Sequence, residues 1–139
     1  MKKVNVIYWS GTGNTEAMAK AIAQGAQDAG AEVKLLSCDE ASASDATDCD
    51  ALALGCPSMG MEVLEESVFE PFMESIEDDL AGKPLLLFGS YGWGDGEWMR
   101  NWVDRMQDKA DLQGEGIICQ ESPSDDILAQ LTEAGKSLA

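Results

Sequence analysis

The sequence contains no histidine, and it sets only 9 lysines and arginines against 26 aspartates and glutamates. Without histidine there is no Ser-His-Asp or Cys-His catalysis and no His-containing zinc site. A formal net charge of −17 and a pI near 4.1 exclude nucleic-acid binding, which needs cations to neutralise phosphates. The same deficit removes any attraction to anionic membranes. No apolar stretch approaches the roughly 20 residues of a membrane span. The start carries Lys2 and Lys3 but reaches Ser10-Gly11 too soon for a secretory leader, so a cytoplasmic location is expected. Cys38, Cys49, Cys56 and Cys119 form no Cys-x-x-Cys pair and are expected as buried or half-buried thiols. Repeats, linkers and low-complexity tracts are missing as well.

What is present suits one globular domain over residues 1–139, with 45% hydrophobic and 25% charged residues. Strand and helix patterns alternate along it. Residues 4–8 are β-rich and run into a glycine-containing turn. From 14 to 29, Met18, Ile22, Gly25, Ala26 and Ala29 recur at helical spacing, and Gly30 ends the helix. Residues 32–36 form a second strand. Residues 51–55 and 85–89 are apolar throughout, as expected of strands buried on both faces of a parallel sheet. Between these two, Pro71 sits in the first turn of a helix expected to bury Phe72, Met73 and Ile76. Trp98, Trp102 and Met106 mark the next buried helix face, residues 115–119 contain a fifth strand, and Ile127, Leu128, Leu131, Ala134 and Leu138 mark a closing helix. With a loop expected between the second and third strands, the order is that of an α/β three-layer sandwich.

In such sheets ligands bind outside the carboxyl ends of the strands, and three segments at those ends stand out. Trp9-Ser10-Gly11-Thr12-Gly13-Asn14-Thr15 joins a strand to a helix, and its glycines let several N–H groups converge at the helix N-terminus. With neutral side-chain donors from Ser10, Thr12, Asn14 and Thr15, this makes a cradle for a terminal phosphate. It is neither a Walker loop, since no Gly-Lys-Thr/Ser follows, nor a dinucleotide fingerprint, since Glu16 occupies the place of the third glycine. The other segments are Cys56-Pro57-Ser58-Met59-Gly60-Met61-Glu62 and Ser90-Tyr91-Gly92-Trp93-Gly94. A tryptophan between two glycines offers an aromatic face to a planar ligand, and Met59 could cover the other face. The combination favours a flat heterocycle bearing a phosphate.

These three segments resemble the short-chain bacterial flavodoxins of the clostridial type, and the resemblance spans essentially the whole chain. It implies a flavodoxin-like α/β three-layer sandwich with a five-stranded parallel sheet of order 2-1-3-4-5, helices on both faces and a non-covalently bound FMN. By the same resemblance Ser10, Thr12, Asn14, Thr15 and Ser90 hold the phosphate, within a site of Trp9, Gly11, Gly13, Pro57, Ser58, Tyr91, Gly92 and Gly94. Met59 and Trp93 sandwich the isoalloxazine, the Gly60 carbonyl turns toward flavin N5, and Glu62 anchors the pyrimidine edge. Pro57, Ser58 and Met61 stand where the family varies, and Pro57 brings no N–H. The implied function is a low-potential one-electron carrier shuttling between neutral semiquinone and hydroquinone, acting as a monomer with ferredoxin-type oxidoreductases and without substrate turnover. A flavin-dependent reductase and a flavin-free acidic binding module are the alternatives. Receiver domains and low-molecular-weight phosphatases lack their required acidic pair and Cys-x5-Arg loop here.

Electrostatics supports the low potential. The phosphate loop has no lysine or arginine, and residues 62–79 hold eight carboxylates and no cation. One charge at about 10 Å disfavours an anionic ring by roughly 0.4 kcal/mol in water and about 1.7 kcal/mol at an effective dielectric of 20. The acidic run is also expected to form a rim that steers basic partners.

Overall fold

The computed structural model describes residues 2–139. Its first strand, β1 (Lys3–Tyr8), leads into α1 (Asn14–Asp28), followed by β2 (Glu32–Ser37), α2 (Ala43–Thr47) and β3 (Ala51–Gly55). Next come α3 (Phe69–Ile76), a 3-10 turn at Glu77–Asp79, β4 (Pro84–Tyr91) and α4 (Glu97–Met106). Two short strands, β5 (Asp111–Leu112) and β6 (Ile117–Gln120), precede α5 (Asp125–Leu138). All ladders are parallel, in the order β2-β1-β3-β4, with β5 and β6 both pairing with β4.

The period-two alternation of the central strands decides what each face receives. Val4, Val6, Ala51, Ala53, Leu86 and Phe88 point to the layer of α1 and α5. Ile7, Leu52, Leu54, Leu85 and Leu87 point to the layer of α2, α3 and α4, where Phe69 meets Trp102 edge-on at 5.5 Å. Full burial of each such Leu or Ile contributes about 1.5–3 kcal/mol. The α1/α5 layer is drawn tight by Gly25 and Gly135. A Cβ on Gly25 would fall on the Thr132 carbonyl, and one on Gly135 on the Ile22 carbonyl.

Three expectations need correction. The fifth position of the sheet holds two segments. β5 pairs with Pro84 and Leu85, and β6 pairs with residues 88–91. Between them Gly114 and Gly116 take φ of 81° and 91°, outside extended geometry, so the strand expected over 115–119 begins only at Ile117. α3 starts at Phe69, so its buried stripe is Phe69, Met73 and Ile76, and Phe72 lies half-buried beside it. The stretch between the second and third strands holds a short helix, α2, opened by a capping box of Ser42 and Asp45.

Candidate cofactor site

Three turns meet at the carboxyl edge of the sheet. In the first, Gly13 takes φ 95° as the residue before α1. Ser10 Oγ accepts from the Gly13 amide at 3.1 Å and the Glu16 amide at 3.3 Å, which folds the turn back onto the helix start. The amides of Gly11, Thr12, Asn14 and Thr15 take no partner among the described residues. Behind them the buried Thr15 and Ser90 hydroxyls meet at 3.2 Å and tie the turn to the end of β4. The result is a set of free amides and hydroxyls at a helix N-terminus with no cation among them, as a phosphate requires.

The second turn leaves β3 through Cys56. The Cys56 amide donates to the Phe88 carbonyl and the Ser58 amide to the Ser90 carbonyl, so the missing N–H of Pro57 interrupts neither bond. The Cys56 carbonyl accepts from the Trp98 indole at 3.0 Å and lies where a Cβ on Gly89 would stand. Met59 and Val63 then exchange both backbone hydrogen bonds, at 2.8 and 3.0 Å, closing a tight turn in which Gly60 has φ 50° and Glu62 φ 56°. The Glu62 side chain is buried beneath Gly94, and its Oε1 accepts from the Glu97 amide at 3.0 Å. One carboxylate thus joins the second turn to the third by capping α4. Its Oε2 makes no hydrogen bond among the described residues.

A cleft of about 310 Å³ runs between these turns. Trp9, Gly11, Thr12, Asn14, Pro57, Ser58, Met59, Ser90, Tyr91 and Gly92 line it, all of them expected from the sequence. Ser10, Gly13 and Thr15 stand behind its lining at the start of α1. Gly60, Glu62, Trp93 and Gly94 stand outside the lining, with Trp93 60% exposed. The sequence reading missed Glu121, which follows β6 at the same edge and lines the cleft. The carboxyl-end rule that selected the other three loops applied equally to the fifth strand. The free amides at one end and the Trp9, Tyr91, Pro57 and Met59 walls at the other fit FMN.

A family model described as Flavodoxin matches residues 6–135. Flavodoxins from Clostridium beijerinckii and Megasphaera elsdenii are 43% and 44% identical, each over 98% of this chain and over 99% and 98% of their own lengths. The chain belongs to the flavodoxins. The solution structure of two-electron reduced Megasphaera elsdenii flavodoxin matches with a TM-score of 0.86 at 43% identity, covering 96% of this chain and 98% of that one. This flavodoxin binds FMN and is a low-potential electron carrier that interacts with redox partners and turns over no substrate of its own. Family membership decides for the carrier over the reductase and the flavin-free module. No helix among the described residues is long and apolar enough to cross a membrane.

The acidic run over 62–79 is less open than its sequence implies. Arg105 binds Glu70 and Glu77 together, with contacts of 2.7 and 2.8 Å, and Lys109 reaches Asp78 at 2.7 Å. Glu62 and Glu65 are buried as helix caps. Glu66, Glu74 and Asp79 are the carboxylates of the run left without such partners, so the charge available near the cofactor is smaller than a count of eight suggests. The thiols are quiet, as expected: burial pushes Cys38 up to about 12 and raises Cys49, Cys56 and Cys119.

Glu65 gives a stability prediction. Burial by itself would raise its pKa, but the amides of Phe69, Val68 and Ser67 outweigh that and hold it below the usual carboxylate range. The lowered value means that the stabilisation is complete above the unfolded value of about 4.5 and is lost as pH falls through the folded-state value. Glu65→Ala is expected to cost about 2 kcal/mol at pH 7 in urea unfolding, with the difference shrinking in acid. A difference independent of pH would contradict the capping role.

Proposed function

We propose that residues 1–139 act as a single FMN domain in which the phosphate occupies the open N-terminus of α1. Ser10, Thr12, Asn14, Thr15 and Ser90 would hold it together with the amides of that turn. The ring would lie between Met59 and Trp93, bordered by Trp9, Pro57, Ser58, Tyr91, Gly92 and Gly94, with Glu62 toward its pyrimidine edge. The observation that carries this reading is the set of unpartnered amides at α1, beside a cleft of about 310 Å³.

Bound FMN supplies one-electron chemistry, and the turn at Gly60 is suited to separate its two steps. The base of the turn is clamped by the Met59–Val63 bonds and by Glu62 on α4. Its tip is unpacked, with nothing within 4 Å of a Cβ on Gly60 and Met61 84% exposed. A peptide held at both ends and free in the middle can present the Gly60 carbonyl as acceptor for a proton at flavin N5, and glycine tolerates the positive φ. The absence of a cation at the phosphate leaves its negative charge to oppose a second electron. In an anaerobic reductive titration, Gly60→Val is expected to destabilise the semiquinone by about 1–3 kcal/mol, moving the two one-electron potentials toward each other by roughly 40–130 mV each. An unaltered gap would remove Gly60 from this role.

We also infer that partners dock where Met61, Val63 and Trp93 lie exposed at the cofactor edge, beside Glu97, whose amide Glu62 binds. A ferredoxin-type oxidoreductase with a basic rim fits such a surface. The four free thiols suit a cytoplasmic, reducing setting, and the high net charge suits a monomer. With cytochrome c as a basic acceptor, the electron-transfer rate is expected to fall with salt, and Met61→Ser to lower it without changing the salt slope. A rate indifferent to both salt and Met61 would contradict docking at this edge.

A further inference from the structure

Of the eleven residues lining the cleft, Glu121 alone is charged. It is also one of two non-glycine residues at positive φ, at 58°, where glycine or asparagine is the usual occupant. Its backbone is held there by bonds that carry the β4–β6 ladder one step past the Tyr91–Gln120 pair. The Glu121 amide donates to the Tyr91 carbonyl at 2.7 Å, and the Cys119 thiol donates to the Glu121 carbonyl at 3.5 Å. The other such residue, Glu62, has its carboxylate on the Glu97 amide, whereas the Glu121 carboxylate has no partner among the described residues. A residue held at positive φ therefore adds an exposed carboxylate, with no protein partner among the described residues, to the lining of a site proposed for an anion.

We propose that Glu121 sets the charge selectivity of the cofactor cleft. Its carboxylate opposes the phosphate of FMN and is indifferent to neutral riboflavin, and so limits how tightly FMN is retained. The inference rests on the placement of the phosphate at α1. The sign does not depend on the orientation of the side chain, because a charge on the wall repels a phosphate of charge about −1.5 to −2 anywhere in the cleft. At a separation of about 10 Å in water the repulsion weakens binding roughly threefold, and more where solvent is excluded. Salt reduces it over a Debye length of about 8 Å at physiological ionic strength.

The test is a fluorescence titration of the apo-protein with FMN and with riboflavin, for the parent, Glu121→Gln and Glu121→Asn. At low salt both variants are expected to bind FMN about threefold or more tightly than the parent, with riboflavin affinity unchanged. The gain should shrink at high salt. Glu121→Asn should also raise the Tm, because asparagine accepts left-handed backbone, which separates relief of strain from removal of charge. FMN and riboflavin weakening together would overturn the proposal, since the carboxylate would then be holding the sugar chain that both flavins share. A parent that prefers FMN, with a preference Glu121→Gln fails to widen, would overturn the role of Glu121 alone. A parent with no preference for FMN over riboflavin would overturn the phosphate placement and the role of Glu121 together.

Discussion

Backbone amides at helix N-termini must find acceptors, and how each helix meets that demand organises the functional end of this flavodoxin. α3 is closed by the buried Glu65 and α4 by the buried Glu62, both reaching back from the segment that follows β3. α2 is opened by Ser42 with Asp45, and in α5 Ser124 accepts from the Ile127 amide while the amides of Asp125 and Asp126, residues that bring carboxylates of their own, take no partner among the described residues. α1 differs. Glycine stands at its cap position, Ser10 satisfies the Glu16 amide, and the amides of Asn14 and Thr15 take no partner among the described residues. Internal carboxylates close α3 and α4 and leave α1 open, where the free amides of Gly11 and Thr12 join those of Asn14 and Thr15. Glu62 also links two turns, so the closure of α4 fixes the base of the Gly60 turn.

The sheet brings these helix ends to one place. Parallel pairing aligns the ends of β1, β3 and β4, and the two-sided core lets each strand exit between layers. Close approaches then set the positions of the turns. Gly89 admits the Cys56 carbonyl, the Trp98 indole pins that carbonyl, and the Thr15–Ser90 contact holds α1 against β4. The site thereby depends on contacts between residues far apart in sequence.

That dependence explains what the sequence made legible. Fully apolar runs at 51–55 and 85–89 can only be central strands, and a glycine turn between a strand and an amphipathic helix has few other uses. Ten of the eleven cleft residues followed from that local logic. The misses were of two kinds. Some were weak local signals: a five-residue helix opened by Ser42, and an edge strand broken at Gly114 and Gly116. The others were pairings that sequence distance conceals. Arg105 lies 35 residues from Glu70 and 28 from Glu77, so a run without cations in sequence gains them in space. Glu62, proposed for the flavin edge, likewise caps α4 through the amide of residue 97, a second role that 35 residues of separation conceal.

The phosphate is proposed to be held by uncharged donors at the open N-terminus of α1 within a strongly acidic chain. The most direct measurement is the dissociation constant of FMN from the apo-protein across a range of potassium chloride concentrations. An amide cradle in a chain of net charge −17 predicts binding that holds steady or tightens as salt rises, because screening relieves the repulsion between like charges. Binding that weakens steadily with salt would mean that a lysine or arginine holds the phosphate, and would contradict this account.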